Sequence, residues 1–475
     1  MQAVSGADAY FLCEESSGNH MHTLKLAVVD PAEAAHPVDF ELFRDLTMRQ
    51  LPQFPPFRRR PLEAPFYLGP PVWVEDRDLD VDYHIQHIVL DKPGGDDELD
   101  EIMGQVGSVP LRRNHPLWQF YYIEGLKNGH IAYLAKIHHA VADGTVSTAL
   151  MRLSFQTSPE EATDPPTPEA LLKLVKADVP VAPDTFVRFV LGASKKIIQR
   201  SPALFARSFR SIAKDVCQIV LRQERPINAF AGPGTRFNRE MTAERIFSHA
   251  TLSMKDLTTV KNAFGCTIND VYLTLVGGAL RRYLDAHREL PRRSITAVVP
   301  VSIRTEEDNP LFGNVLGQWF ASTGSGIVDP GDRIRAVMES TRVSRRAFEA
   351  KDRKLSKDWY DLWPLRRLYL FALPKAITSV IKRPAYNVIV SNVKGPRIPM
   401  YSDGARLISI RSVGPLAQQQ GLNFTAWSYL DDFSITMQAC RKDASDLRLL
   451  ADAFQPELED LLIAARRVGR EEIVS

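Results

Sequence analysis

The chain has 475 residues, 44% hydrophobic and 24% charged, with a formal net charge of +2 at pH 7. That length exceeds what one core usually fills, so two domains are expected, and the composition excludes a disordered chain. The near-neutral balance gives no global field for nucleic acid, and Cys13, Cys217, Cys266 and Cys440 lack the paired spacing of a disulfide framework or a zinc site.

Neither a signal peptide nor an apolar run of the roughly 18–20 residues that span a membrane is present, which suits a cytoplasmic protein. Residues 22–29 read as a strand and 39–51 as a helix, an α/β pattern. The prolines of 54–61 exclude a regular element there, and Arg58, Arg59 and Arg60 form either a solvated charge run or a guide for a phosphate-bearing ligand. The acidic stretch 75–82 reads as the exposed face of an edge strand, without the ligand spacing of a metal site. Trp118 closes a turn that reads as a packing corner before the strand 119–123.

A hairpin at 127–129 leads to an apolar strand at 131–137, then to His138, His139, Asp143 and Gly144, and then to helical spacing at Val146, Ala149, Leu150 and Leu153. Alternation along a strand sends His138 and His139 to opposite sides, so only one of them can serve a given pocket. An imidazole is the side chain best matched to exchanging a proton near neutral pH. Asp143 reads as a helix N-cap and Gly144 as the residue that allows a tight turn.

Residues 157–184 are proline-rich and polar, with one short helix at 169–177. Residues 186–221 are helical, amphipathic and basic, through Lys195, Lys196, Arg200, Arg207, Arg210 and Lys214. This segment is either a packed crossover or a surface for an anionic membrane or lipid droplet. The expected division is therefore 1–156, a connector at 157–229, and a second strand–helix domain at 230–475. In the last, Thr267 caps a helix whose first turn carries Asn269 and Asp270, the latter favoured by the helix dipole. Gly277 and Gly278 inside that helix predict the close approach of another backbone or a ligand. Residues 294–303 and 386–391 read as buried strands, and 422–430 with 433–440 as a hairpin.

His138, His139, Asp143 and Gly144 form the pattern His-His-x-x-x-Asp-Gly, which resembles the active-site signature of CoA-dependent acyltransferases of the chloramphenicol acetyltransferase superfamily. The ordered companions narrow the resemblance. They are Ser5-Gly6-Ala7-Asp8, Pro116-Leu117-Trp118, Asn269-Asp270, Pro300-Val301-Ser302-Ile303-Arg304, Gly313-Asn314, Ser391 to Pro396, and Gly421-Leu422-Asn423. With them the chain is similar, over nearly its full length, to the bacterial wax ester synthase/diacylglycerol acyltransferase family. It departs from the family pattern at Arg112-Arg113, Lys394, Asp431-Asp432 and the Ala439-Cys440-Arg441-Lys442 strand end.

The resemblance implies an α/β fold of two chloramphenicol-acetyltransferase-like domains, with a helical crossover and an active-site tunnel between them. It implies transfer of a long-chain acyl group from acyl-CoA, as substrate and with no bound cofactor or metal, to diacylglycerol or a long-chain alcohol. His139 is then the general base, with Asp143 bracing the loop against an arginine such as Arg304. Asn269 is the first expectation for the oxyanion donor, with Ser391 and Asn392 behind it. Gly144, Asp270, Trp118, Ser391, Asn392 and Arg304 are the expected substrate-binding residues. The alternatives are a non-catalytic lipid-binding protein of the same fold and a condensation enzyme that takes its acyl group from a carrier protein.

Overall fold

A computed structural model describes residues 2–50, 54–63, 71–142, 151, 154–160, 199, 202–203, 206–207, 226–227, 229–304, 313–350, 360 and 383–474. In chain order the first half carries β1 (Gln2–Ala3), α1 (Gly6–Glu14), β2 (His22–Asp30), α2 (Phe40–Gln50), β3 (Arg59–Leu62), β4 (Val72–Glu75), α3 (Val81–His84), β5 (Ile85–Gly94), α4 (Asp96–Ser108), β6 (Trp118–Leu126) and β7 (Ile131–His138). The second half carries β8 (Arg245–Ser253), α5 (Met254–Phe264), α6 (Ile268–Ala286), β9 (Thr296–Ser302), β10 (Leu316–Ser322), α7 (Pro330–Glu349) and β11 (Val388–Lys394). It continues with β12 (Tyr401–Ser402), β13 (Ala405–Val413), β14 (Leu422–Tyr429), β15 (Asp432–Cys440), α8 (Leu447–Asp452) and α9 (Phe454–Val474).

Two six-stranded mixed sheets dominate, ordered β12-β13-β2-β7-β6-β5 and β10-β9-β11-β14-β15-β8. Each half is thus a mixed sheet flanked by helices, as the α/β patterning requires. One face of the first sheet buries Leu24, Leu26, Ala132 and Leu134 with Leu99, Ile102 and Met103 of α4. The second sheet packs Val388, Val390, Phe424 and Ile435 against Val271, Leu275 and Leu458 of the helices. The expected closeness at Gly277 is real: a Cβ there would lie 1.8 Å from the Thr323 carbonyl oxygen, so only glycine lets α6 sit on that backbone.

The structure departs from the sequence reading in three places. β13 lies within the stretch 230–475, yet it pairs antiparallel with β2, from Arg406 opposite Asp30 to Val413 opposite Leu24. The sheet of the first half is therefore completed by the end of the chain, a pairing that strand pattern alone does not specify. The prolines of 54–61 are accommodated in a 3-10 turn at Pro55–Arg58 and in β3, the outer strand of a small sheet ordered β1-β4-β3, where a missing N–H costs no ladder bond. The acidic run beyond Glu75 leaves the sheet altogether; Asp80 caps α3 by accepting from the Tyr83 N–H. The connector expected at 157–229 lies almost wholly outside the described residues.

Among the described residues, the contacts between the halves besides β13 include the following three. α4 covers the outer strand β8, with the Arg245 N–H donating to Ser108 Oγ at 2.8 Å. A charged cluster joins Asp96 and Asp100 of α4 to His249 of β8 and Arg411 of β13. The third contact, between Asp8 and Asn314, leads into the cleft. Covering an open strand edge in this way removes a site for unwanted pairing.

Candidate active site

His138 ends β7 and His139 opens the turn that follows. Leu134, Lys136 and His138 project toward α4, whereas Tyr133, Ala135, Ile137 and His139 project to the other side, as alternation requires. His138 is fully buried. Its Nδ1 accepts from the Ala140 N–H at 3.1 Å, which leaves Nε2 carrying the hydrogen and facing Glu15 Oε2 at 3.5 Å. Arg113 holds the same carboxylate through Nε at 2.7 Å. Burial alone would raise Glu15, but its contacts with His138 and Arg113 hold it below its ordinary value. His138 is thereby fixed inside the first half and does not line the cleft.

His139 lines a cleft of about 880 Å³ between the halves. The first half contributes Tyr10 and Phe11 of α1, together with Met21; the second contributes the end of β9, the start of β10, and Tyr386, Ser391 and Asn392. That volume is in the range of sites that enclose a small organic ligand. Phe11 stacks on the His139 ring with centroids 4.1 Å apart, and the His139 N–H donates to the Met21 carbonyl at 2.8 Å. Met21 takes φ of 50°, uncommon for a residue with a side chain, so backbone strain is held beside the imidazole.

Asn314 contacts His139 twice. Its Oδ1 lies 3.0 Å from Nδ1 of the ring, and its Nδ2 donates to the His139 carbonyl at 2.7 Å. Asn314 is held in turn by Asp8, whose Oδ1 accepts from both its Nδ2, at 2.6 Å, and its backbone N–H, at 2.8 Å. Arg304 donates from Nη2 to the carbonyl of the preceding Gly313 at 2.7 Å, so it braces the loop that presents Asn314. Neither Asp8 nor Asn314 was singled out for a role from the sequence, although both fall in the family-like blocks Ser5-Gly6-Ala7-Asp8 and Gly313-Asn314.

The other expected residues divide plainly. Ser391 and Asn392 of β11 line the cleft. Asn269 sits in the first turn of α6 and is not among the lining residues. Asp270 is consumed locally: its Oδ2 accepts from the Thr267 N–H and hydroxyl, and its Oδ1 from Thr341 Oγ1 at 2.6 Å. Trp118 is fully buried, donates to the Phe57 carbonyl at 2.9 Å and stacks on His84, so it is a packing corner and not a wall of the cleft. Asp143 and Gly144 lie outside the described residues, and so does any pairing of Asp143 with Arg304.

Tyr386, absent from the expected set, also lines the cleft, and burial pushes its hydroxyl well above the ordinary tyrosine value, which keeps it a neutral donor. A second cavity of about 190 Å³ runs along the His139 side of β7, walled by Phe43, Leu46, Phe57, Tyr133, Ala135 and Ile137. The site therefore offers an imidazole at a seam, neutral hydroxyl and amide donors opposite it, and apolar walls.

Residues 4–272 match the family model described as wax ester synthase/diacylglycerol acyltransferase catalytic domain, and residues 312–462 match the model of the C-terminal domain of the same family. A Mycobacterium tuberculosis protein named as a candidate diacylglycerol O-acyltransferase is 30% identical over 466 residues, 97% of this chain and 90% of its own length. A second such protein from that organism is 31% identical over 451 residues, 92% of this chain and 91% of its own. Among solved structures, the wax ester synthase/diacylglycerol acyltransferase from Marinobacter aquaeolei VT8 superposes with a TM-score of 0.72 at 24% identity, covering 98% of this chain and 100% of that one. The first condensation domain of the calcium-dependent antibiotic synthetase shares the fold at a TM-score of 0.59 and 16% identity, with 98% and 96% coverage.

Proposed function

The chain belongs to the wax ester synthase/diacylglycerol acyltransferase family, and from that premise we propose that it moves a long-chain acyl group from acyl-CoA to the hydroxyl of diacylglycerol, with long-chain alcohols as a second acceptor class. The observation that carries this reading is His139 on the wall of a cleft between the two halves. His139 takes the acceptor's hydroxyl proton as the oxygen attacks the thioester carbonyl. Collapse of the tetrahedral species breaks the C–S bond, and the proton passes to the departing thiolate. The acceptor oxygen is itself the nucleophile, so no covalent enzyme intermediate is required.

The oxyanion needs a donor in place beforehand, and loss of one such donor typically costs about 2.7–4 kcal/mol. Ser391, Asn392 and Tyr386 are among the neutral donors on the cleft wall, and this reading gives the role to that group in place of Asn269. The apolar chains lie against the cleft walls and along the cavity beside β7. The preference for diacylglycerol is supported by the names of the mycobacterial relatives. Among the described residues no single helix is long and apolar enough to cross a membrane; access to lipid is assigned to a surface contact through the basic segment 186–221.

The test is release of free thiol from palmitoyl-CoA, with and without each of a panel of acceptors, followed by chromatography of the products. Acceptor-dependent release that falls by about 10²–10⁴-fold in His139→Ala is expected. Near-normal transfer by that variant removes the general base. Palmitoyl-CoA binding without acceptor-dependent thiol release identifies a non-catalytic lipid-binding protein. Activity confined to an acylated carrier protein identifies a condensation enzyme.

A further inference from the structure

From the bonds around Asn314 we infer that Asp8 and Asn314 are positioning residues that fix the proton on Nδ1 of His139 and so make Nε2 the basic nitrogen. This inference rests on His139 being the base and goes further, because it says which nitrogen works and what holds it ready.

Asp8 lies in the first turn of α1, 5% exposed, with Ser5 Oγ donating to its Oδ2 at 2.7 Å. Its other oxygen accepts from Asn314 Nδ2, and a carboxylate can only accept. The His139 carbonyl, on the second side of the same Nδ2, can also only accept. Two acceptors therefore converge on one end of the Asn314 side chain, and that end must be the NH₂. Turning the amide over would set its oxygen against a carboxylate and a carbonyl in a buried site, replacing two hydrogen bonds by contacts between acceptors.

With the amide so fixed, Oδ1 faces Nδ1 of His139 at 3.0 Å. An oxygen acceptor requires a hydrogen on the ring nitrogen, so the neutral imidazole carries its proton on Nδ1 and its lone pair on Nε2. The geometry thus selects one of two tautomers that would otherwise compete. When Nε2 takes the acceptor's proton, the positive charge on the ring is stabilised through Oδ1, whose amide is polarised by the Asp8 carboxylate behind it. Among the described residues, the charged groups near this path include Asp8 on α1, Arg304, which holds the Gly313 carbonyl, and Lys394, which lines the same cleft; Glu15 of the adjacent turn faces His138 instead.

The contributing residues lie far apart in the chain. Asp8 and Asn314 are 306 residues apart, and Asn314 and His139 are 175 apart. The basic nitrogen is therefore set only when the first helix, the end of β7 and the loop before β10 are docked together.

The test uses the full-length protein with all histidines labelled with ¹⁵N. The His139 signals are identified by their loss in His139→Ala, and they are compared with those of Asn314→Leu, which has nearly the same volume and no amide. In the unaltered protein, at a pH where the ring is neutral, a protonated Nδ1 and an unprotonated Nε2 are expected; in Asn314→Leu that preference is lost. The same variant is expected to lower kcat by at least about 10-fold, within the range for general-base catalysis, with KM for palmitoyl-CoA changed less than about 2-fold. The acid limb of its pH–rate profile moves to lower pH, because the imidazolium has lost its acceptor.

A proton on Nε2 in the unaltered protein overturns the inference even if Asn314→Leu fails to fold. So does a folded Asn314→Leu with an unmoved acid limb and kcat within about 3-fold of normal. If His139→Ala is itself fully active, the base assignment falls and the inference with it. If His139→Ala is inactive while Asn314→Leu is normal, only the role of Asp8 and Asn314 is lost.

Discussion

Several imidazoles of the first half are pushed toward the neutral form by burial. Burial lowers His138 and His22, with His22 well below its ordinary value, and burial pulls His84 down to about 4 against the opposing hydrogen bond to the Trp118 carbonyl. A histidine whose folded-state pKa lies below 6.5 contributes stability that is complete above the unfolded value and is lost as pH falls toward the folded one. Between pH 6.5 and 5, His84 alone removes about 2 kcal/mol by this linkage. His249 has the opposite sign: burial works against its charge, but hydrogen bonds to Asp100 and Asp96 raise it, so its contribution is full below 6.5 and declines as pH rises through the folded value. Urea midpoints measured from pH 6.5 to 5 are expected to fall for the unaltered protein and to fall less steeply for His84→Phe, which keeps the stacking on Trp118. Equal slopes in the two proteins would show that His84 is not held neutral.

At the scale of elements, much was legible because the signals are local. Strand alternation in β7 is enough to send His138 and His139 apart. Thr267 reads as a cap, with Asp270 in the first turn behind it, because capping is a four-residue matter, and the hairpin β14–β15 follows from its apolar runs, although its turn is Leu430-Asp431 and Asp432 already opens β15 opposite Tyr429. The glycines of α6 announced a close approach without saying to what; it is the Thr323 carbonyl at Gly277, and the Glu457 and Arg333 side chains at Gly278. Gly277→Ala should therefore destabilise by about 1–3 kcal/mol through overpacking, against the roughly 1 kcal/mol that alanine normally gains inside a helix. A higher urea midpoint for that variant would mean that the backbone approach does not constrain α6. Asn269 lies in the first turn of α6 beside the cap and is not among the residues that line the cleft. Asn314, Asp8 and β13 were not legible, because each acquires its meaning from a partner far along the chain.

Across the whole molecule, the halves share a strand, a buried hydrogen-bond path and a charged cluster, which is more than a hinge between independent domains requires. Expressed alone, residues 1–229 would expose the β2 edge that β13 normally covers, an open invitation to strand pairing between copies. That fragment is expected to aggregate, and coexpression with residues 230–475 is expected to return a complex that elutes at the size of the intact protein. A monomeric 1–229 fragment with a native-like circular dichroism spectrum would show that β13 is dispensable to the first sheet.

The same shared strand sets a schedule for synthesis. Asp30 leaves the ribosome long before its partner Arg406 exists, with roughly 380 residues, or about 20 to 75 s at about 5–20 residues per second, between them. During that interval β2 and β7 can pair, but the place beside β2 stays vacant, and the loop carrying Asn314 arrives only after most of the chain has been made. A product truncated before β13 thus lacks the strand that closes the first sheet, and the nascent first half has to be kept from its neighbours on the polysome until the last quarter of the protein closes it.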